Sequence, residues 1–266
     1  MKDILKKLRE GEITEEEAER EILRRLSGEV EGKAVLDLFR DFRTAVPEVV
    51  LGEGKTLEEM GAICLKFLLS RGEVALTRVG EEEVERLKEL FEEALEGFER
   101  RFNLRYNPRG RVLTVRRLDL APEALGNVIL VTAGTSDIPV AEEARTLLEF
   151  YGARAETFYD VGIAGVHRLR PVVEAVERGG YQVALVFAGR EGALPTLLSA
   201  LISIPVIGVP VSSGYGHGGG GEAALSTMLQ SCSPIAVVNI DSGYTAAMVA
   251  IKILKASRGG VGNVKK

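Results

Sequence analysis

NVILVTAGTSD, at residues 127–137, decides the fold, because a short apolar run ends in glycine and leads into hydroxyl and acidic residues. Such a run predicts a buried strand that turns into a helix. Four more apolar runs follow, separated by helical segments: ARAETFYDVG at 153–162, YQVALVFAG at 181–189, PVIGVP at 205–210 and PIAVVNID at 234–241. Five strand–helix units predict an α/β fold, a doubly wound parallel sheet of the flavodoxin-like kind with helices on both faces.

The first part of the chain is richer in charge and in helical periodicity. Thr14 with Glu17 and Thr56 with Glu59 form capping-box patterns that predict two helix starts, and the apolar spacing over 81–101 predicts a third helix. RVLTVRRL, which follows the turn cluster NPRG, alternates like an edge strand. We therefore expect a smaller, mainly helical N-terminal region over 1–110, an edge strand after it, and an α/β domain over 111–266. The boundary should lie in the turn-rich stretch 108–126.

Composition limits the location and the partners. The 266 residues are 45% hydrophobic and 27% charged, which allows a sizeable core. A net charge of −5 disfavours nucleic acid or an anionic membrane as a general partner. The sequence also has no apolar stretch long enough for a signal peptide or a membrane span. We expect a cytoplasmic protein, whose two cysteines, Cys64 and Cys232, stay reduced.

Candidate binding residues collect at the carboxyl ends of the predicted strands, where sheets of this kind bind ligands. GTSD, at 134–137, offers backbone N–H groups and hydroxyls at a helix start, which suits a phosphate, although helix capping explains it equally well. The glycines at 218–221 permit close approach to a ligand, or simply form a flexible loop. The candidate substrate- and phosphate-binding residues are Gly134, Thr135, Ser136, Asp137, Asp160, Arg168, Gly189, Ser212, Gly218, Gly219 and Asp241.

Three side chains are candidates for catalysis, and each also has an ordinary structural explanation. His167 can move a proton near neutral pH, but a lone histidine is more often structural. Glu191, at a strand end, can act as a base or be a loop glutamate. Cys232 can be a nucleophile if positive charge lowers the pKa of its thiol, or a small apolar residue.

No tightly bound cofactor is expected from the sequence. It contains no Walker lysine motif, and no GxGxxG follows the first strand of the α/β domain, which disfavours ATPases and Rossmann dehydrogenases. Acidic residues at strand ends can hold Mg²⁺ beside a phosphate, and Asp137 or Asp160 are the candidate ligands.

Several motifs together resemble known enzymes of nucleotide metabolism. VTAGTSD, GVHR, AGREGALP and PVIGVPV occur in this order and resemble the nucleotide-site segments of aminoimidazole ribonucleotide (AIR) carboxylases and mutases, which have the PurE-type fold. AGREGALPTLLSALISIPVIGVPVSSGYGHGGGGEAALSTMLQSC, with VVNID after it, is more similar to the LarB family, and so is PEVVLGEGKT at 47–56. The segment SGYTA at 242–246 departs from the NGFGA-like ending of the LarB pattern, and this departure concerns Asp241 and its loop.

The LarB resemblance implies a specific reaction. LarB-type proteins are pyridinium-3,5-dicarboxylic acid mononucleotide synthases, which begin the biosynthesis of the nickel-pincer nucleotide cofactor. Their substrates are nicotinic acid adenine dinucleotide and CO2 or bicarbonate. The pyridinium ring is carboxylated and the phosphoanhydride is cleaved, with release of AMP. Cys232 matches the family's nucleophilic cysteine and Glu191 its acidic residue, with His167 and Asp137 in assisting roles.

The position of Cys232 predicts an oligomer. It follows a helix and precedes the last strand, so it should lie at the amino end of the sheet, away from the other candidate residues. We therefore expect a homo-oligomer, by resemblance an octamer, in which a neighbouring subunit supplies the cysteine. Two other functions stay open at this point, namely an AIR carboxylase or mutase of purine biosynthesis, and a non-catalytic nucleotide-binding module.

Overall fold

The computed structural model describes residues 2–30, 34–37 and 40–258, which form a four-stranded and a five-stranded sheet with a helix packed between them, and a separate two-stranded antiparallel sheet of β1 and β2. The N-terminal elements are α1 (Lys2–Arg9), α2 (Glu15–Leu26), β1 (Ser27–Val30), β2 (Ala34–Asp37), α3 (Arg40–Thr44), β3 (Val50–Leu51), α4 (Leu57–Arg71), β4 (Glu73–Thr77), α5 (Glu81–Ala94), α6 (Phe98–Arg101), β5 (Phe102–Asn107) and β6 (Val112–Arg117). The C-terminal elements are β7 (Gly126–Thr132), α7 (Ile138–Phe150), β8 (Ala153–Phe158), α8 (Arg170–Glu177), β9 (Tyr181–Ala188), α9 (Leu194–Ser199), β10 (Val206–Pro210), α10 (Glu222–Leu229), β11 (Ala236–Val237) and α11 (Gly243–Ser257).

The C-terminal sheet confirms the predicted doubly wound fold. Its five strands are all parallel and lie in the order β8-β7-β9-β10-β11. The inner strands are continuous apolar runs because helices cover both faces: α7 and α11 pack on one face, and α8, α9 and α10 on the other. The strand order reverses between β7 and β9, and a ligand-binding crevice is expected at such a switch point.

The last strand is shorter than the apolar run PIAVVNID suggests. Only Ala236 and Val237 pair with β10 as strand. The Asn239 side chain then accepts a hydrogen bond from the N–H of Ile240 at 2.9 Å, which favours a turn over further ladder pairing.

The N-terminal region is rich in helices as predicted, but they pack on a four-stranded sheet of order β3-β4-β6-β5. The prediction that RVLTVRRL is an edge strand is wrong, because β6 pairs with β4 on one side and β5 on the other. Leu113 and Val115 face the core formed with α4 and α5, whereas Val112 packs towards α7. The chain therefore changes sheet between Arg117 and Gly126, within the stretch 108–126 but after residue 111.

The helix starts predicted for this region are present. Thr14 exchanges both capping-box hydrogen bonds with Glu17, at 2.9 and 3.1 Å, and Thr56 does the same with Glu59, at 3.0 and 3.3 Å. The single third helix is instead broken between α5 and α6. Helix α5 ends at Ala94, and Gly97, directly before α6, adopts a φ of 67°, a left-handed conformation that glycine takes at little cost.

Helix α7 joins the two sheets, because the hairpin between β5 and β6 rests on it. The Asn107 amide donates to Glu142 and to Thr146, both at 2.7 Å. Gly110 lies so close to α7 that a Cβ there would be 2.7 Å from the backbone of Glu142 and Glu143.

Among the helices of the described residues, none combines the length and the apolar composition that a membrane-spanning helix requires.

Replacing Glu142 by Gln is expected to weaken this junction in a pH-dependent way. Burial opposes ionisation of Glu142, but hydrogen bonds from Arg145, Tyr159 and Asn107 outweigh it and lower its pKa from 4.5 to about 2. Since the folded pKa is the lower one, the stabilisation is full above pH 4.5 and is lost as the pH falls towards 2. Urea denaturation should show a loss of about 1–2 kcal/mol at pH 7, less than the full pKa shift would give, because Arg145 is 31% exposed and solvent screens the pair.

The same comparison at lower pH provides the control. The difference between wild type and Glu142→Gln should shrink between pH 5 and pH 2, while Glu149→Gln, at a more exposed partner of Arg145, should cost little at any pH. An equal loss for Glu142→Gln at pH 7 and pH 3 would contradict the assignment.

Candidate active site

A cleft of about 660 Å³ opens at the carboxyl ends of β7, β8, β9 and β10, at the switch point of the sheet. It is bounded by the four loops that follow these strands. The polar and glycine residues that line it are Gly134, Ser136, Asp137, Gly162, Arg168, Gly189, Arg190, Glu191, Gly192, Ser213 and Tyr215. Its place agrees with the general position of ligand sites in doubly wound sheets.

Asp137 connects two of the loops. Its side chain is buried, with 2% exposed, and accepts hydrogen bonds from the Gly134 N–H and the Ser213 hydroxyl, both at 2.8 Å. Burial raises the pKa of this carboxyl, and the two hydrogen bonds oppose that rise. Asp137 therefore holds the loop after β7 against the loop after β10.

Three further side chains that line the cleft are those of Arg190, Glu191 and Tyr215. The Arg190 guanidinium lies 4.7 Å from the ring centroid of Tyr215 and donates to its hydroxyl at 2.8 Å. Within the described residues, neither Arg190 nor Glu191 has an ion-pair partner, although both are exposed to the cleft. The cleft thus holds a cation that can bind an anion and a carboxylate that can accept a proton.

Glycine lets the loops after β9 and β10 touch. A Cβ on Gly214 would overlap the carbonyl oxygen of Gly189 and lie 2.8 Å from its carbonyl carbon. A Cβ on Gly189 would in turn lie 2.9 Å from the Val211 carbonyl oxygen. The backbones of the loops after β9 and β10 are therefore in direct contact, with no side chain between them. This contact sets the width of this end of the cleft.

Gly214→Ala is therefore expected to destabilise the fold by about 2 kcal/mol, the usual cost of inserting a methyl into tight packing, and to weaken ligand binding. Gly134→Ala is the matched control for stability. Its Cβ would meet only Ser136 Oγ at 3.6 Å and Asp137 Oδ2 at 3.7 Å, which are ordinary contacts. Urea midpoints measure both variants, and equal midpoints would contradict the steric argument.

The loop after β8 brings one basic residue into the cleft. Asp160 adopts a left-handed φ of 57°, and its carbonyl and carboxylate accept from Arg168 Nη1 at 2.7 and 3.1 Å. Arg168 lines the cleft, whereas Asp160 does not. His167 is exposed and does not line it either. Adjacent positions in this short helical loop face different ways, which the sequence alone does not reveal.

The loops after β10 and β11 are joined behind the cleft. Asp241 Oδ1 accepts from the Ser212 N–H at 2.8 Å, and the Asp241 N–H donates to the Pro210 carbonyl at 2.9 Å. Neither Ser212 nor Asp241 lines the cleft itself. Their contacts fix the strand end from which Ser213 enters it.

The structure brings only part of the predicted set together. The predicted residues that line the cleft are Gly134, Ser136, Asp137, Arg168, Gly189 and Glu191. Those that do not line it are Thr135, Asp160, His167, Ser212, Gly218, Gly219, Cys232 and Asp241. The cleft also contains Arg190, Ser213 and Tyr215, which are not in the predicted set. Their positions after predicted strands are the feature of the sequence that could have identified them.

The two cysteines lie in opposite environments. Cys64 is fully buried in α4, and burial raises the pKa of its thiol to about 12, so it is unsuited to nucleophilic chemistry. Cys232 is exposed, in the loop between α10 and β11. This loop runs alongside α9, because Ser231 accepts from Thr196 in the first turn of α9 and the Pro234 carbonyl accepts from Ser199 at its end, both at 2.9 Å.

The acidic residues considered for magnesium are already engaged by protein groups. Asp137 accepts from Gly134 and Ser213, and Asp160 is paired with Arg168. Among the residues whose positions are described, no group of three or more His, Cys, Asp or Glu side chains could hold a metal ion. The donor set does not fit a built magnesium site, and none of the steps proposed below passes through a metal.

Comparisons with known proteins agree with this fold. The family model described as AIR carboxylase matches residues 127–263, and the model described as the LarB/PurE-like N-terminal domain matches residues 29–117. An uncharacterized protein of Methanocaldococcus jannaschii is 40% identical over 256 residues, which cover 96% of this chain and 97% of that protein. The N5-carboxyaminoimidazole ribonucleotide mutase of Pyrococcus abyssi is 33% identical over 129 residues, covering 47% of this chain and 71% of the mutase.

Among solved structures, PurE of Treponema denticola matches with a TM-score of 0.37 and 18% identity, over 50% of this chain and 89% of that one. The α/β domain with its cleft at the switch point thus belongs to the AIR carboxylase family, and it defines an enzyme of the carboxylase or mutase type. With its N-terminal domain, the chain is a member of the LarB family.

Proposed function

We propose that this protein carboxylates the pyridinium ring of nicotinic acid adenine dinucleotide with CO2 or bicarbonate and hydrolyses the phosphoanhydride. The products are pyridinium-3,5-dicarboxylic acid mononucleotide, which starts nickel-pincer nucleotide biosynthesis, and AMP. One observation carries the proposal: a LarB-type N-terminal domain over 29–117 precedes the AIR carboxylase domain over 127–263 in a single chain.

Ring carboxylation first requires a nucleophile, because a pyridinium ring is electron-poor and does not attack CO2. The Cys232 thiolate adds to ring carbon 4, which gives a neutral dihydropyridine whose carbon 5 is enamine-like. Carbon 5 then attacks CO2, a carbon–carbon bond forms, and the positive charge returns to the ring nitrogen as an iminium. The exposure of Cys232 supports this role, since the thiol is accessible.

A base must then remove the proton from carbon 5, and Glu191 is our candidate. The electron pair of the broken carbon–hydrogen bond restores the dihydropyridine. The ring nitrogen then expels the Cys232 thiolate from carbon 4, which regenerates an aromatic pyridinium. Glu191 suits the task because it lines the cleft and, among the described residues, its carboxylate has no hydrogen-bond partner.

Phosphate binding falls to the GTSD loop and the nearby arginines. Residues 134–137 precede α7, where backbone N–H groups favour an anion, and Arg168 and Arg190 add positive charge. Water attacks one phosphorus of the anhydride, the bridging oxygen leaves with the other phosphate, and AMP is released. His167 is exposed and does not line the cleft of its own subunit, so we assign it no step here.

Cys232 reaches a cleft from a neighbouring subunit, so the enzyme is a homo-oligomer, by family resemblance an octamer. Two observations support this. The loop of Cys232 leads into the amino end of β11, whereas Glu191 follows the carboxyl end of β9, and Cys232 does not line the cleft of its own subunit. Leu201, after α9, and Leu229, at the end of α10, are exposed apolar residues on elements that end at the same edge.

Product analysis by mass spectrometry tests the reaction. Purified protein is incubated with nicotinic acid adenine dinucleotide and carbon-13-labelled bicarbonate. The expected products are a labelled dicarboxylated mononucleotide and an equal amount of AMP. Unchanged dinucleotide, from protein that is folded and oligomeric, would overturn the proposal.

An AIR carboxylase or mutase of purine biosynthesis is the second candidate, favoured by the 33% identity to the Pyrococcus abyssi mutase. Aminoimidazole ribonucleotide and its N5-carboxylated form are therefore included in the same assay. Turnover of either one, retained in Cys232→Ser, is the result that this candidate predicts.

A further inference from the structure

Arg78 connects the N-terminal domain to the C-terminal sheet. It directly follows β4, in a left-handed conformation with a φ of 58°. Its Nη1 donates to Glu53 Oε2 at 2.7 Å, and its Nη2 donates to the Asp241 carbonyl at 3.0 Å. Its Nε lies 4.0 Å from Glu143 Oε1. One guanidinium thus contacts two acidic side chains and one backbone carbonyl, from both domains.

The N-terminal side of this contact is firmly built. Glu53 belongs to the segment PEVVLGEGKT, and its neighbour Gly52 donates its N–H to the Thr77 carbonyl at 2.8 Å. A Cβ on Gly52 would stand 3.1 Å from the carbonyl oxygens of both Thr77 and Arg78, so the two segments touch closely. The Glu53 loop is therefore held against the end of β4, next to Arg78.

On the C-terminal side, Arg78 holds a residue in an unfavourable conformation. Asp241 has a φ of 53°, a left-handed conformation that residues with a side chain adopt less often than glycine. It keeps this conformation while its carboxylate accepts from the Ser212 N–H and its own N–H donates to Pro210. The hydrogen bond from Arg78 to its carbonyl is the contact that the N-terminal domain adds to this arrangement.

The segment held by Asp241 leads directly into the cleft. Ser213 follows Ser212, lines the cleft and donates to the buried Asp137. A continuous path of hydrogen bonds and one peptide link therefore runs from Glu53 through Arg78, Asp241 and Ser212–Ser213 to Asp137.

Buried Glu143 lies beside this path and explains why a cation is needed there. Its side chain accepts from the Thr77 hydroxyl and from the Tyr244 N–H, and it is almost fully buried. An uncompensated buried carboxylate is costly, and Arg78 supplies positive charge from the N-terminal domain.

We propose that Arg78 is a positioning residue, through which the N-terminal domain sets the conformation of the Asp241–Ser212 contact and so places Ser213 in the cleft. Arg78 does not itself line the cleft. This inference concerns the same cleft as the proposed function, but its first test needs no substrate.

Arg116 is a matched control for Arg78. It too is an arginine of the N-terminal sheet that pairs with a glutamate of its own domain, Glu73 at 2.7 Å, and donates to a backbone carbonyl of the other domain, Phe150 at 2.5 Å. Arg116 is less exposed, 15% against 36% for Arg78, so its loss should cost at least as much stability. Arg116 lies near the carboxyl end of β6, where it pairs with Glu73 of β4. Arg78 follows Thr77, which pairs with Val112 at the opposite end of β6.

Hydrogen exchange followed by mass spectrometry is the test, on peptides that contain the Ser212 and Asp241 amides. Arg78→Ala should raise exchange of these two amides about tenfold, because the contact opens more often, while Arg116→Ala should leave them unchanged. Arg78→Lys, which keeps the charge but not the fork of donors, should give an intermediate rate and guards against misfolding of the alanine variant. Unchanged exchange in both Arg78 variants, or an equal rise in Arg116→Ala, would overturn the inference.

Activity provides the second readout. Arg78→Ala should lower kcat/KM on the dinucleotide by about tenfold or more, and added guanidinium should restore part of it, whereas Arg116→Ala should stay within about twofold. A lack of rescue, with exchange unchanged, counts against Arg78. If wild type does not turn over the dinucleotide at all, the proposed function fails, and the exchange result still decides the role of Arg78.

Discussion

Cys232→Ser is expected to reduce formation of the dicarboxylated mononucleotide by about 10³-fold or more, since a hydroxyl replaces the attacking thiolate. Serine has nearly the same size, and Cys232 is exposed, so the fold should be unaffected. The measurement is initial-rate product formation by mass spectrometry. Cys64→Ser tests a thiol that is fully buried, and its activity per folded molecule should be retained.

Mixed oligomers of two inactive variants then show which subunit provides the cysteine. Cys232→Ser and Glu191→Gln subunits are coexpressed with different tags and purified through both. If each site combines Glu191 of one subunit with Cys232 of another, about one quarter of the sites in random mixtures regain both groups. Mixed oligomers should therefore recover about a quarter of wild-type activity.

The two alternatives give different results in the same experiment. If both residues act within one subunit, mixing restores nothing, because every subunit lacks one of the two. Wild-type rates in Cys232→Ser alone would instead remove the thiolate from the mechanism and favour the purine substrate.

Glu191→Gln is expected to lower turnover by about 10²–10⁴-fold, the usual contribution of a general base. Glutamine keeps the shape of the side chain but cannot accept the proton from ring carbon 5. The reaction should therefore stop after carboxylation, with the substrate still bound to Cys232 through sulfur. Intact-protein mass spectrometry should show the mass of the carboxylated dinucleotide, or of its mononucleotide part, added to the subunit.

Two controls define this result. The adduct should be absent from the double variant Cys232→Ser, Glu191→Gln, because no thiolate is available. Glu174→Gln, an exposed glutamate paired with Arg170 on α8, should keep activity within about twofold. Full activity of Glu191→Gln would exclude Glu191 as the base.

The two domains have different roles in the proposed mechanism. Glu191 and Arg190 stand on the C-terminal sheet, where strand ends give a stable edge for chemistry. Within the described part of the N-terminal domain, no residue lines the cleft. We infer that the N-terminal domain supports the C-terminal sheet by contacts. Arg78 contacts the loop of Asp241, and Asn107 and Gly110 contact helix α7.

The sequence by itself determined the C-terminal fold and much of its cleft. Five apolar runs separated by helical segments specify a parallel sheet, because strands buried on both faces need continuous apolar side chains. Once the sheet is known, the strand ends identify Gly134, Asp137, Gly189 and Glu191, since parallel strands bring their carboxyl ends to one edge. The capping boxes at Thr14 and Thr56 can also be predicted from sequence, because each involves residues only three positions apart.

Only the tertiary structure decided features that depend on contacts between distant segments. The inner position of β6 follows from pairing with β4, about 40 residues earlier in the chain, and no local pattern encodes that partner. The same holds for the pairing of Arg78 with Asp241, which are 163 residues apart. His167 and Arg168 are neighbours, yet only Arg168 enters the cleft, because side-chain direction within a loop is set by packing. Local periodicity specifies elements, whereas the burial and pairing of charges between elements are fixed only when the two sheets meet.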